Sequence, residues 1–140
     1  MGTILDTVAL LWMSQGNPRL GRRTSLEVEQ AAREGSLRFS AISMLEVTRL
    51  HWEERIDLLK APEAWYGDLL DVGVREIPVT SEIAGLAGSL KTQHGFHSDP
   101  ADQLITATAI VTRRKLITSD RRILDWAKSR KDIQCLNALT

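Results

Sequence analysis

Short apolar runs alternate with longer segments of helical periodicity along nearly all of the 140 residues, and this alternation constrains the fold more than any other feature. The pattern predicts helices that begin near Thr7, near Pro62 and after Asp99, and others over residues 24–33, 43–54, 81–92 and 121–128. It predicts strands at residues 3–5, 37–40, 74–79, 115–118 and 133–136. Because strands and helices alternate, the sequence is typical of an α/β fold, a parallel sheet with helices on both faces.

Length and composition favour one domain, residues 1–140, because no linker, repeat or low-complexity tract divides the chain. The 18 basic and 18 acidic residues cancel, so any site for a polyanion must be local. The single cysteine, Cys135, cannot form an internal disulfide, which favours a reducing compartment. No segment approaches the ~20 apolar residues of a membrane span, and no basic leader precedes the first apolar run. We therefore expect a cytoplasmic protein without a membrane partner.

Four acidic residues lie where the carboxyl ends of the predicted strands should meet. Asp6 and Asp120 lie at the ends of strands, in ILDT and LITSD, whereas Glu46 and Asp102 lie one turn into helices. Ligands of open parallel sheets bind at that edge. Carboxylates in one site repel one another, and a divalent cation is the usual compensation. Oxygen ligands favour Mg²⁺ or Mn²⁺, so the pattern predicts a site for one of these ions.

Helix capping is the competing explanation for each of these acids taken alone. Asp99 followed by Pro100 is typical of a helix start, and Ser43 has the capping-box spacing to Glu46. The segment from Thr24 to residue 27 repeats that spacing without a preceding strand, so we predict that it caps a helix and does nothing else. Four acids from separate segments at one edge favour the metal site over four independent caps.

Four strings, ILDTVALLW, FSAISMLEV, DPADQLITATA and LITSDRRIL, resemble in order and separation the PIN domain, specifically VapC-type toxins of bacterial toxin–antitoxin pairs. The resemblance implies a single-domain α/β/α sandwich with a central parallel sheet of about five strands. It also implies a Mg²⁺- or Mn²⁺-dependent endoribonuclease that forms a homodimer and pairs with a small, VapB-like antitoxin.

The resemblance also carries roles to individual residues. It implies four catalytic acids, namely Asp6, Glu46, Asp102 and Asp120. Its candidate metal ligands are Asp6, Asp102, Asp120 and Asp99, the last as an accompanying acid of the DPxD string, and the sequence leaves open whether Asp99 or Asp102 is the third ligand. The supporting polar groups beside these acids are Thr7, Ser43, Thr118 and Ser119.

Two departures from the family pattern affect the surroundings of the acids but remove no carboxylate. Val8 stands where members often have His, and Gln103 stands where they often have Arg. Two other functions remain as alternatives. One is a PIN fold that binds RNA or protein without catalysis. The other is a signalling receiver domain, which the sequence disfavours because Thr7 follows Asp6 where a receiver has a second acid.

The resemblance implies hydrolysis of an RNA phosphodiester bond, and the acids predict that a metal activates the attacking water, because the strand edge offers no obvious general base for neutral pH. We expect Asp6 and Asp102 to bind the metal directly and Asp120 to bind it directly or through water. We expect Glu46 to position the attacking water.

Basic residues flank the predicted strand that delivers Asp120. Residues 113–115 precede it, whereas Arg121 and Arg122 follow it and are the predicted RNA-phosphate contacts. His94 and His97 do not predict a zinc site, because no cysteine or third histidine completes a ligand set. The pattern leaves the RNA open among transfer, ribosomal and messenger RNA.

Overall fold

A five-stranded parallel sheet forms the centre of the computed structural model, which describes residues 2–140. The strands are β1 (Thr3–Leu5), β2 (Leu37–Ser40), β3 (Val74–Ile77), β4 (Lys115–Thr118) and β5 (Cys135–Asn137). Their order across the sheet is β3-β2-β1-β4-β5, and all pairings are parallel. The predicted α/β class and number of strands are therefore confirmed.

Helices connect the strands and cover both faces of the sheet. Over the described residues they are α1 (Thr7–Gln15), α2 (Arg22–Arg33), α3 (Ala41–Trp52), α4 (Pro62–Asp71), α5 (Ser81–His94), α6 (Pro100–Thr112) and α7 (Arg121–Ala127). None of these helices combines the length and the apolar character needed to cross a bilayer.

Two apolar cores form because successive side chains of a strand point to opposite faces. Leu5 and Ile117 pack into one core together with side chains of α1, α2 and α4. Ile4 and Leu116, one residue earlier on the same strands, pack into the other core with side chains of α5, α6 and α7. All four side chains are fully buried, so β1 and β4 are fixed on both faces.

The carboxyl ends of three strands lead directly into capped helices. Asp6 caps α1 after β1, Ser40 caps α3 after β2, and Asp120 caps α7 after β4, each with extended backbone angles. These three strands are adjacent in the sheet. The turns that carry Asp6 and Asp120 therefore lie at one edge, beside the start of α3.

Both predicted capping boxes are wrong, because each helix begins three residues earlier than the box requires. Ser40, not Ser43, accepts the backbone N–H of Ile42 at 3.2 Å and caps α3. Helix α2 follows Gly21, and Thr24 lies fully buried within it. There the Thr24 hydroxyl donates to the carbonyl of Asn137 at 3.1 Å, which joins α2 to the end of β5.

Strand ends differ from the predicted ones at two edge strands. β3 ends at Ile77 rather than residue 79, where pairing with Ser40 stops. β5 begins at Cys135 rather than residue 133, because Cys135 is the first residue in register with β4. Ile133 is buried in the apolar core before the strand begins. A buried apolar residue just before a strand has the same sequence pattern as the strand itself, so the predicted strand began too early.

We expect Ser40→Ala to lower the free energy of unfolding by about 1 kcal/mol, the usual value of an N-cap. Ser89→Ala is the control, because the Ser89 hydroxyl bonds only to the Leu86 carbonyl of its own helix and should matter by less than about 0.5 kcal/mol. Urea denaturation of both variants measures the difference. Equal stability of the two variants would contradict Ser40 as the cap.

Candidate metal centre

Asp6 is the most buried acid of the site, with 6% of its surface exposed. Its Oδ1 accepts the backbone N–H of Ala9 at 2.8 Å, and its Oδ2 accepts the hydroxyl of Thr118 at 2.5 Å. Burial raises the pKa of Asp6 to about 6, against these two hydrogen bonds, and the nearby carboxylates of Asp102 and Asp120 raise it further. A nearby cation would therefore favour the ionised form.

Asp102 and Asp99 open α6, as the DPxD string predicts, but they have different surroundings. Asp99 is the N-cap, and its Oδ1 accepts the backbone N–H of Asp102 at 3.0 Å. The Oδ2 of Asp102 lies 2.7 Å from Nε2 of His97. Burial raises the pKa of Asp102, the hydrogen bond from His97 opposes the shift, and the charges of Asp99 and Asp120 add to it.

Asp120 differs from the other acids because an arginine neutralises it. Its Oδ1 accepts the backbone N–H of Arg122 at 2.8 Å, and its Oδ2 accepts Nη2 of the same arginine at 3.0 Å. Burial alone would raise the pKa of Asp120, but the hydrogen bonds and charge of Arg122 outweigh it and lower the pKa. The same Nη2 lies 3.6 Å from Oδ2 of Asp102, so one guanidinium contacts both carboxylates.

Glu46 is held by the hydroxyl of Thr7, which also contacts the hydroxyl of Ser43. The Thr7 hydroxyl on α1 donates to Oε1 of Glu46 on α3, and it also lies 2.8 Å from the hydroxyl of Ser43. Burial raises the pKa of Glu46, the hydrogen bond from Thr7 opposes the shift, and the charges of Asp102 and Asp99 add to it. Ser43 is fully buried, so it contacts this cluster rather than solvent.

A cavity of about 250 Å³ brings the predicted acids together at the carboxyl edge of the sheet. Its polar lining consists of Asp6, Thr7, Glu46, Asp102, Ser119 and Asp120. Val8, Leu11 and Leu50 form the apolar part of its wall. Asp99 and Arg121 do not line this cavity, and Thr118 lies behind it, where its hydroxyl bonds to Asp6.

The chemistry of these residues fits a divalent cation. Asp102, Asp120 and His97 each offer one ligand atom, and these atoms lie within 4.8 Å of one another. The guanidinium of Arg122 already contacts both carboxylates, so a positive charge is accommodated there. Carboxylate oxygens suit hard ions such as Mg²⁺ and Mn²⁺. Asp6 is not a member of this closest group, although it lines the same cavity.

His97 is the residue at this site that the sequence analysis missed. The spacing of His94 and His97 suggested only a zinc pair, which the sequence disfavours. In the structure the partner of His97 is the carboxylate of Asp102. Gln103 donates its side-chain N–H to the backbone carbonyl of His97 at 2.9 Å. The closeness of His97 to Asp102 in the sequence was the available signal. Whether the two side chains meet, however, depends on the conformation of the loop between them.

Residues 113–115 do not contribute cations to the cavity, because they lie at the amino end of β4, which begins at Lys115. Arg114 donates to the carbonyl of Ser36 at 2.7 Å, and Lys115 pairs with Glu27 at 3.1 Å. Of the predicted basic residues, Arg122 is therefore the one that contacts the acids.

Known proteins resemble the chain along nearly its full length. The PIN domain family matches residues 3–129. Ribonuclease VapC22 of Mycobacterium tuberculosis is 36% identical over 120 residues, which cover 86% of this chain and 88% of that protein. The structure of VapBC2 from Rickettsia felis bound to a promoter DNA fragment has a TM-score of 0.72 at 17% identity, covering 98% of both chains. FitAcB from Neisseria gonorrhoeae has a TM-score of 0.64 at 22% identity, covering 97% of both chains. At such identities the two structures support the fold alone.

We expect Asp6→Asn to stabilise the metal-free protein at pH 7. The pKa of Asp6 is about 6 in the folded protein, against 3.8 for an aspartate in water, so the folded state holds an extra proton between these pH values. The stability that Asp6 contributes at low pH is therefore lost as the pH rises through this range. Asn cannot ionise, so the gain at pH 7 should reach up to about 3 kcal/mol and vanish near pH 4.

Denaturation in the presence of EDTA at both pH values measures this effect. Asp71→Asn is the control, because Asp71 is exposed at the end of α4 and should change stability little at either pH. A metal-free Asp6→Asn protein that is less stable than the wild type at pH 7 would contradict the burial cost assigned to Asp6.

Proposed function

The chain belongs to the PIN domain family, and from this membership we propose that it is a Mg²⁺- or Mn²⁺-dependent endoribonuclease, the toxin of a toxin–antitoxin pair. One observation carries the proposal: four acids from four separate segments line one cavity at the carboxyl edge of the sheet. The name of the 36% identical relative, a ribonuclease, supports the same activity.

Asp6, Asp102 and Asp120 are the residues proposed to hold the metal. The ion, when bound, supplies charge neutralisation at the phosphate and activates water for attack. Glu46 is proposed to accept a hydrogen bond from the attacking water, because the Thr7 hydroxyl fixes one of its oxygens and leaves the other available. Asp99 serves mainly as the helix cap that holds the first turn of α6.

Arg121 and Arg122 are the proposed contacts for RNA phosphates. An acidic cavity repels a polyanion, so cations beside it are needed for binding. The Arg122 side chain is 61% exposed and contacts both Asp102 and Asp120. If Asp102 and Asp120 held a metal ion, the guanidinium of Arg122 would be free to contact a phosphate of the substrate.

A small VapB-like antitoxin and a second copy of the chain are the proposed protein partners. Two of the similar solved structures are described as VapBC2 bound to promoter DNA and as a toxin–antitoxin complex from Klebsiella pneumoniae. Leu45 and Trp52, both on α3, are 51% and 71% exposed, which supports an apolar interface on that helix. We further propose that residues 1–140 act as one domain in the cytoplasm.

Expression of the chain without an antitoxin should arrest bacterial growth, and Asp6→Asn or Asp120→Asn should abolish the arrest. Asp102→Asn should do the same, because it removes an anionic metal ligand, whereas Asp99→Asn keeps the helix cap and should retain part of the activity. Growth curves, RNA cleavage by the purified variants and circular dichroism measure toxicity, activity and folding.

Asp125→Asn is the control for these variants, because Asp125 pairs with Lys128 on the surface of α7. Full toxicity of both Asp6→Asn and Asp120→Asn would overturn the nuclease assignment and favour a PIN fold that only binds its partners.

Mn²⁺ or Mg²⁺ should raise the melting temperature of the wild type, because an ion bound only by the folded state stabilises it. Arg122→Gln should bind Mn²⁺ several-fold more tightly than the wild type, because the guanidinium no longer competes for Asp102 and Asp120. Arg121→Gln removes the same charge from the same turn without removing that contact. Titration calorimetry should therefore separate the two variants, and equal affinities would contradict competition at these carboxylates.

A further inference from the structure

His97 makes one side-chain hydrogen bond in the described chain, and its partner is a proposed metal ligand. Its Nε2 lies 2.7 Å from Oδ2 of Asp102, and the two side chains are 14% and 20% exposed. An ionised carboxylate can only accept, so the imidazole donates in this bond. We propose that His97 is a positioning residue, which fixes the Asp102 carboxylate in the orientation that binds the metal. This inference rests on the proposed function.

The cavity geometry favours positioning over direct ligation. Asp102 lines the cavity together with Asp6 and Asp120, whereas His97 does not line it. The imidazole engages Oδ2 of Asp102 without itself lining the cavity. The Oδ1 atom accepts no hydrogen bond from the described residues and remains available to a cation. Carboxylates that bind metals are commonly held in this way by a hydrogen bond from a second residue.

An aromatic stack holds the imidazole ring in place. The ring stacks on Phe96 with centroids 4.3 Å apart and an interplanar angle of 24°. Phe96 is buried and meets Trp126 of α7 edge to face at 4.9 Å. The Trp126 indole N–H donates to the carbonyl of His94 at 2.8 Å. This support limits rotation of the imidazole and therefore limits movement of the carboxylate that it contacts.

A second constraint acts on the backbone of the same loop. The Gln103 amide, one residue after Asp102, donates to the backbone carbonyl of His97 at 2.9 Å. Two hydrogen bonds thus join the first turn of α6 to the loop before it. Asp102 contacts the side chain of His97, and Gln103 contacts its backbone carbonyl. Such double attachment matches a role in orientation more closely than a role in packing alone.

His97→Phe separates the hydrogen bond from the packing, because phenylalanine keeps the stack on Phe96 but has no N–H. We expect its dissociation constant for Mn²⁺ to rise about tenfold, the lower end of the range for such outer contacts. Cleavage at low Mn²⁺ should fall, excess Mn²⁺ should restore it, and KM for RNA should stay unchanged. His97→Gln, which offers a side-chain N–H again, should recover part of the affinity.

His94→Phe is the matched control, because only the backbone carbonyl of His94 takes part in this network. Gln103→Ala provides a second, milder variant, and it should weaken Mn²⁺ binding in the same direction by a smaller factor. Titration calorimetry gives the affinities, and pulsed electron paramagnetic resonance of bound Mn²⁺ reports directly coordinated imidazole nitrogen.

Three results would overturn the inference. Equal Mn²⁺ affinity of His97→Phe and the wild type would remove the positioning role while leaving the proposed nuclease intact. An imidazole nitrogen signal in the wild type that disappears in His97→Phe would make His97 a direct ligand instead. Failure of the wild type itself to bind Mn²⁺ would overturn the proposed function, and this inference with it.

Discussion

The burial of several carboxylates together at the end of a parallel sheet is the constraint on which the rest of this structure depends. Asp6, Glu46 and Asp102 all have raised pKa values, with burial as the largest cause in each case. The fold holds them together by giving their oxygens donors. Backbone N–H groups at the starts of α1 and α7 reach Asp6 and Asp120, and hydroxyls of Thr118 and Thr7 reach Asp6 and Glu46. The N-termini of helices also favour negative charge.

Capping and metal binding therefore do not exclude each other as roles for the same acid. Asp6 uses Oδ1 for the N–H of Ala9, and Asp120 uses Oδ1 for the N–H of Arg122. Capping fixes the side chain against the helix start, so that the carboxylate faces the cavity with a restricted rotamer. Asp99 shows the other outcome, since it caps α6 but does not line the cavity, whereas Asp102 in the first turn of the same helix does. A capping carboxylate can therefore also serve as a metal ligand only where it lines the cavity, as Asp6 and Asp120 do and Asp99 does not.

The sequence predicted the sheet and the meeting of the four acids, because both follow from rules about strand direction that need no side-chain detail. Asp6 comes directly after β1 and Asp120 two residues after the end of β4, and these strands are adjacent, which fixes the closeness of the two acids. Helix starts were harder to predict, because Ser40 and Ser43 have equal capping propensity and only backbone geometry selects Ser40. His97 could not be predicted as a neighbour of Asp102. Its placement depends on the turn after α5, where Gly95 adopts the left-handed conformation with φ of 69° and the chain reverses toward α6.

The two departures from the family pattern can be understood from the same contacts. Gln103 replaces an arginine that family members often carry, and its amide is committed to the carbonyl of His97. A neutral amide there stabilises the loop but brings no positive charge to the cavity. Arg122, in the first turn of α7, brings a positive charge to the acids and contacts both Asp102 and Asp120. Val8, where members often have histidine, leaves an apolar side chain, 44% exposed, on the cavity wall. The polar contacts around Asp102 therefore come from His97 and Arg122, whose positions in the chain lie on either side of α6 rather than within it.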